Sequence, residues 1–87
     1  MNRTQALCQA FGWQGGTIHQ VAQETGCKVS DLLYAEYAET PAYERGWFAG
    51  RTCSVEFNLR VNFPKEQGNL DFWLGVAEGL ILKAKEI

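Results

Sequence analysis

The chain has 87 residues, a formal net charge of −2 and a pI near 5.3. Hydrophobic residues make up 46% and charged residues 21%, which predicts one folded domain over residues 1–87 rather than a disordered chain. The mild acidity excludes a polybasic nucleic-acid-binding or membrane-anchoring segment, and no apolar run approaches the ~18–20 residues that span a bilayer. The first residues lead into no signal-like apolar stretch, so we expect a cytoplasmic protein with no membrane partner.

The first fifty residues are predicted to form four short helices. The first covers about residues 4–11. The second follows a capping box formed by Thr17 and Gln20 and ends at Gly26, which favours a left-handed cap. A third is expected from a cap at Ser30 to about residue 39. A capping threonine followed by a proline, at residues 40 and 41, begins a fourth helix that runs to about residue 50.

Residues 1–39 have the spacing of a helix-turn-helix. The residues expected to pack its two helices against each other are Val21, Ala22, Gly26, Cys27 and Leu32. Residues 1–50 nevertheless carry three basic side chains against five acidic ones, whereas DNA affinity depends largely on lysine and arginine. A plain helical corner is therefore favoured over a DNA-reading unit, and both interpretations stay open.

Residues 54–63 alternate polar and apolar side chains, which is typical of a strand. We therefore predict a mostly α fold of the α+β class, with about five short helices and one β-strand between the last two. The strand would pair with its copy in a homodimer, pair with a foreign sheet, or lie on the helices, and the homodimer is favoured. Pro64 ends it, and a final helix is expected over residues 70–85. The apolar residues expected to carry the pairing are Val55, Phe57, Leu59 and Val61.

Small residues recur every four positions on the last two helices. A glycine inside a helix costs about 1 kcal/mol relative to alanine, so several of them indicate a compensating close approach between helices. We expect an antiparallel pair with touching backbones, which makes residues 40–87 a helix–strand–helix hairpin. The residues of this seam are Ala42, Gly46, Gly50, Gly75 and Gly79.

Three stretches, residues 44–51, 62–64 and 72–79, resemble the ribosome modulation factor family of small bacterial and phage proteins. The family pattern is Gly-x-x-Ala-Gly, an Asn-Pro or Cys-Pro-Tyr turn, and then Trp-x-x-Gly followed by an aromatic residue; in this chain Phe63 is inserted between Asn62 and Pro64. The resemblance covers residues 44–79 and implies a two-helix hairpin without catalysis that binds ribosomal RNA and protein. This chain departs from the family in charge, since residues 51–87 carry five basic and five acidic groups, and Val76 replaces an aromatic residue.

The sequence offers no recognisable catalytic or metal-binding motif. His19 has no nucleophile motif nearby, and the glycines of residues 12–16 are not followed by the Lys-Ser/Thr pair of a phosphate loop. The chain has three cysteines, Cys8, Cys27 and Cys53, and none of them forms a Cys-x-x-Cys pair. A zinc site made of Cys8, Cys27 and His19 is conceivable, but it lacks the closely spaced pairs of ligands typical of such sites. We therefore expect no enzyme activity, no cofactor and no metal.

Two functional hypotheses follow. In the first, the protein is a non-enzymatic regulatory binder of nucleic acid or a ribonucleoprotein such as the ribosome, with tryptophan stacking on bases. In the second, it is a phage- or plasmid-encoded inhibitor of a host nucleic-acid machine, such as a defence nuclease of the CRISPR or restriction type. That inhibitor would bind a protein through an acidic, aromatic surface or through its strand, and a purely structural homodimer is a third alternative. The expected nucleic-acid or partner contacts are Arg45, Trp47, Arg51, Arg60 and Lys65.

Overall fold

A computed structural model describes residues 2–12, 15–35, 37–52 and 64–86, and every regular element within these ranges is helical. The α+β class predicted from the sequence is therefore wrong, and the fold is α-helical. The helices are α1 (Arg3–Ala10), α2 (Ile18–Thr25), α3 (Val29–Tyr34), α4 (Pro41–Thr52), a single 3-10 turn (Pro64–Glu66) and α5 (Leu70–Lys85).

The predicted strand, residues 54–63, lies outside the described residues, and so do its pairing residues Val55, Phe57, Leu59 and Val61. Alternation of polar and apolar residues predicts an extended chain, but it does not supply the second strand that a sheet requires. A strand needs a second strand for its backbone N–H and C=O groups, and none of the described segments provides one. The homodimer predicted through this strand is not tested by the described residues and stays a prediction.

Local capping determines where the helices begin and end. The predicted capping box of α2 is confirmed: the Thr17 amide donates to Gln20 Oε1 at 2.8 Å, and Gly26 ends the helix at φ 71°. Asn2 forms a second capping box with Gln5 at the start of α1, which the sequence reading missed. At α4, Thr40 Oγ1 accepts from the Tyr43 amide at 3.2 Å, as expected of a threonine before proline.

Helix α3 is shorter than predicted, because it ends at Tyr34 and not near residue 39. The predicted cap at Ser30 is also wrong, since the capping position is Lys28. The Arg3 guanidinium donates to the carbonyl oxygens of Leu32 at 3.1 Å and Ala35 at 2.6 Å, and Ala35 is already extended. Arg3, which lies on α1, thus supplies hydrogen-bond donors to carbonyl groups at the C-terminal end of α3, and the chain is no longer helical after Tyr34.

Replacing Arg3 with methionine is expected to destabilise the fold by about 1.5–3 kcal/mol, the usual contribution of hydrogen bonds to a charged group. Methionine keeps the apolar stem but leaves the two carbonyl oxygens without this donor. The free energy of unfolding from urea titration measures the loss. Lys28→Met removes an exposed charge from the same region and should change it by less than about 0.5 kcal/mol.

The core forms around α5. Six consecutive residues of α5, from Phe72 to Ala77, are all buried, as expected of a helix whose whole circumference is apolar at this point. Trp73 packs on Phe11 with ring centroids 5.4 Å apart, and its Nε1 donates to the Glu66 carbonyl at 2.9 Å. The same buried cluster contains Leu7, Cys8, Ala10, Val21 and Leu32, so one core joins the two parts into which the sequence was divided.

The glycine seam brings α4 and α5 together with their backbones in contact. A Cβ at Gly46 would overlap the Phe72 carbonyl oxygen, and one at Gly50 would overlap that of Val76. The relation is reciprocal, since Gly75 and Gly79 stand against the carbonyl oxygens of residues 43 and 47. At all four glycines, the Cα hydrogen that replaces a side chain points at a carbonyl of the other helix, a geometry that permits Cα–H···O contacts.

These contacts also show that α4 and α5 run parallel, which corrects the predicted antiparallel hairpin. Contacts advance in the same direction on both helices, since Gly46 meets residues 72 and 76 and Gly50 meets residues 76 and 80. Contacts at the two ends of the pair show the same direction. At the N-terminal ends of α4 and α5, Thr40 Oγ1 donates to Asp71 Oδ2 at 3.0 Å, and at their C-terminal ends Arg51 pairs with Glu86. Four-residue spacing of glycines fits either direction, so the sequence pattern alone did not distinguish them.

Candidate partner-binding site

Two depressions lie side by side along the exposed side of α4, and both include Pro41 and Glu44. The first, which we call the aromatic groove, has a volume of about 430 Å³. The second, the Phe48 shelf, is the more open of the two. The residues lining the groove are Tyr37, Ala38, Glu39, Thr40, Pro41, Tyr43, Glu44 and Trp47, and those lining the shelf are Pro41, Glu44, Arg45, Phe48, Ala49 and Thr52.

The aromatic groove exists because α3 ends early. The chain from residue 37 to residue 40 is not helical and lies beside the first turns of α4. Tyr37 is 66% exposed and meets Tyr43 edge-on, with ring centroids 4.9 Å apart. Burial raises the pKa of Tyr43, and the Glu78 carboxylate adds to the effect, so this phenol forms a neutral wall of the groove.

Trp47 forms the far wall and is half-buried. The Arg51 guanidinium lies 5.4 Å from the centre of its ring, within the range of a cation–π contact. The neighbouring Phe48 ring lies 6.4 Å from Trp47 and is 63% exposed on the shelf. Groove and shelf therefore form one continuous aromatic surface, which we call the α4 face and define by Tyr37, Pro41, Glu44, Trp47 and Phe48.

The groove carries negative charge only. Glu39 and Glu44 are its charged lining residues, and no ion pair involves either of them among the residues that the structure describes. The Tyr37 hydroxyl donates to Glu39 at 3.5 Å, which is a long bond between neutral and charged groups. Two carboxylates beside aromatic rings, without a cation of their own, favour a positively charged ligand.

The basic residues that were expected to contact a partner do not form a patch. Arg45 pairs with Glu66 at 3.4 Å, and Arg51 pairs with Glu86. Lys65 is exposed in the 3-10 turn, and Arg60 lies outside the described residues. Of the predicted contacts, only Trp47 lines the groove, with Arg45 at the edge of the shelf.

The seam residues have a different place. Gly46, Gly50, Gly75 and Gly79 are buried between α4 and α5, and Ala42 packs against the core. They hold the two helices together and are not part of an exposed surface. The residues of the α4 face that the sequence reading missed had a usable signal, because Glu44 and Phe48 stand four positions apart on the side of α4 away from its glycines.

The corner between α2 and α3 is held by Val21 and Leu32, which are buried. Its surface does not have the charge of a DNA-reading unit. Arg3 is committed to the carbonyls of α3, and Lys28 is the one exposed lysine or arginine among the described residues before α4. The outward side chains of α3 are Ser30, Asp31, Leu33 and Tyr34.

No group of three metal-ligating side chains occurs within the described ranges, and none of their helices is long and apolar enough to cross a membrane. Burial, together with the Asp31 carboxylate, raises the pKa of the Cys27 thiol, which disfavours a reactive thiolate. We compared the chain with protein-family models, curated proteins and solved structures, and because none of them matches, the ribosome modulation factor resemblance stays a prediction from its residues alone.

Proposed function

We propose that this is a non-enzymatic binding protein whose α4 face docks onto a basic surface of another protein. Of the two functional hypotheses, this favours the inhibitor of a nucleic-acid machine, because positive surfaces are what such machines present to their substrates. An acidic protein of this size that occupies the surface would compete with nucleic acid for it. The free thiols of Cys8 and Cys27 fit a reducing compartment, and the proposal places the protein in the cytoplasm.

The observation that carries the proposal is the composition of the α4 face. Phe48 and Tyr37 are large side chains left mostly exposed, and such residues are enriched where proteins bind proteins. Glu39 and Glu44 line the aromatic groove, Glu44 also lines the shelf, and neither has an ion-pair partner among the described residues. Exposed aromatic rings beside two carboxylates that lack ion-pair partners fit a partner surface of positive charge.

Direct binding of nucleic acid is less well supported. The phosphate backbone requires free lysines and arginines, yet Arg3, Arg45 and Arg51 all have protein partners. The exposed Lys28 and Lys65 line neither the groove nor the shelf. Carboxylates on the α4 face would repel phosphates at the same place where aromatic rings are available for stacking. Retention that depends on RNA or DNA would therefore contradict the proposal in the test below.

The test is retention of proteins from a bacterial lysate on the immobilised protein, before and after nuclease treatment. We expect a basic partner whose retention survives nuclease and decreases with salt. Glu44→Lys should reduce its binding at least tenfold, because the new charge faces a positive surface. The matched control is Asp31→Lys, which changes the net charge equally on α3 and should leave binding within about twofold.

Two results would overturn the proposal. One is a partner that disappears with nuclease, which indicates nucleic acid as the ligand. The other is an equal effect of Glu44→Lys and Asp31→Lys, which would mean that net charge matters and the α4 face does not. Circular dichroism of each variant establishes that it is folded before binding is compared.

A further inference from the structure

We infer that the aromatic groove is a guanidinium subsite that takes an arginine side chain of the partner. The inference rests on the proposed function and deepens it, because it names the group that enters the groove. Three aromatic rings, Tyr37, Tyr43 and Trp47, line it together with Glu39 and Glu44. No lysine, arginine or histidine is among its described lining residues, so the groove supplies acceptors and ring faces but no cation.

The chemistry of these groups selects a planar cation. Guanidinium stacks on aromatic faces and places its N–H donors on a carboxylate in the same plane, whereas an ammonium is compact and strongly hydrated. Glu44 and Trp47 are three residues apart on α4, a spacing that sets a carboxylate and an indole side by side on one helix face. A phosphate or carboxylate ligand is disfavoured by Glu39 and Glu44.

The molecule already contains one contact of this kind. Arg51 lies four residues after Trp47, with its guanidinium 5.4 Å from the centre of the indole. That guanidinium is bound to Glu86, so a carboxylate and an indole share it. The groove offers an incoming arginine the same kinds of group, the Glu44 carboxylate and the aromatic rings of Tyr37 and Tyr43, and its volume of about 430 Å³ is in the range of small-molecule sites.

The experiment titrates the ¹⁵N-labelled protein with N-acetyl-arginine amide and follows the Trp47 indole N–H and the Tyr37 amide by NMR. We expect both signals to shift with a Kd on the order of 1–10 mM. N-acetyl-citrulline amide has nearly the same shape without the charge and should shift neither signal. Glu44→Gln should weaken arginine binding roughly fivefold or more, and Asp31→Asn, the matched control on α3, should leave it unchanged.

The subsite is contradicted if the citrulline compound binds as well as the arginine compound, or if Glu44→Gln and Asp31→Asn have equal effects. This failure can be told apart from failure of the proposed function. If retention of the partner still depends on Glu44 but arginine amide does not shift the two signals, the proposed docking through the α4 face is supported and the guanidinium subsite is contradicted. If arginine amide binds but no protein is retained after nuclease treatment, the guanidinium subsite is supported and the proposed function is contradicted.

Discussion

Replacing Gly46 with alanine is expected to destabilise the protein by more than about 3 kcal/mol, although the same change stabilises an ordinary exposed helix by about 1 kcal/mol. The new methyl group would overlap the Phe72 carbonyl oxygen and lie 3.0 Å from the Val76 amide nitrogen. Both are backbone atoms of α5, so no side-chain rotation relieves the clash and the helices have to separate.

Thermal unfolding measures this effect. For a domain of this size we expect Tm to fall by roughly 12 °C or more, at about 4–8 °C per kcal/mol. In the wild-type protein, we expect nuclear Overhauser effects between the Gly46 Hα protons and the Val76 amide proton. These effects also test whether α4 and α5 run parallel. An alanine variant as stable as the wild type would contradict the backbone contact.

Gly15→Ala is the matched control. Nothing lies within 4 Å of a methyl group there, but the residue has φ 71°, where an L side chain is strained. The expected cost is about 1–2 kcal/mol from the backbone conformation alone. Gly15 thus reports the cost of a strained backbone without a clash, and a larger loss at Gly46, where alanine is intrinsically favoured in a helix, is attributable to the helix–helix contact.

Trp73→Ala is expected to cost about 3–5 kcal/mol, the range for deleting a buried aromatic side chain. Trp73 is 2% exposed, and its ring contacts the rings of Phe11 and Phe72. The change also removes the indole donor from the Glu66 carbonyl and so loosens the turn that leads into α5. The free energy of unfolding from urea titration gives the size of the loss.

The same change at Trp47 is the control for this prediction. Trp47 is half-buried in the wall of the aromatic groove, and its loss should cost less than about 2 kcal/mol. Trp47→Ala should instead weaken binding of arginine amide and of the partner. Equal losses of stability at the two tryptophans would contradict their assignment to surface and core.

Much of the local structure was readable because it depends on neighbours in the chain. The capping box at Thr17, the turn at Gly26 and the start of α4 after Thr40 need only residues within one helical turn. The extent of α3 was misjudged because Arg3, on another helix, holds its last carbonyls. A contact between residues about thirty positions apart has no signature in the local pattern.

The candidate site shows the same division. The basic and aromatic side chains of the sequence predict binding roles for Trp47, Arg45 and Arg51, but the structure pairs each arginine with a carboxylate from elsewhere in the chain. The groove itself depends on the path of residues 37–40 beside α4, which the sequence reading placed largely in a helix.

Length, composition and charge predicted a small, mildly acidic folded domain, capping residues marked the starts of α2 and α4, and glycines marked the closest helix contact. The spacing of Gly46, Gly50, Gly75 and Gly79 specified which faces meet. Only the tertiary structure decided that the two helices run parallel, because a four-residue repeat is the same read in either direction. It also decided that Glu39 and Glu44 lie beside exposed aromatic rings at α4, since the position of a charge relative to its neighbours depends on how the helices pack.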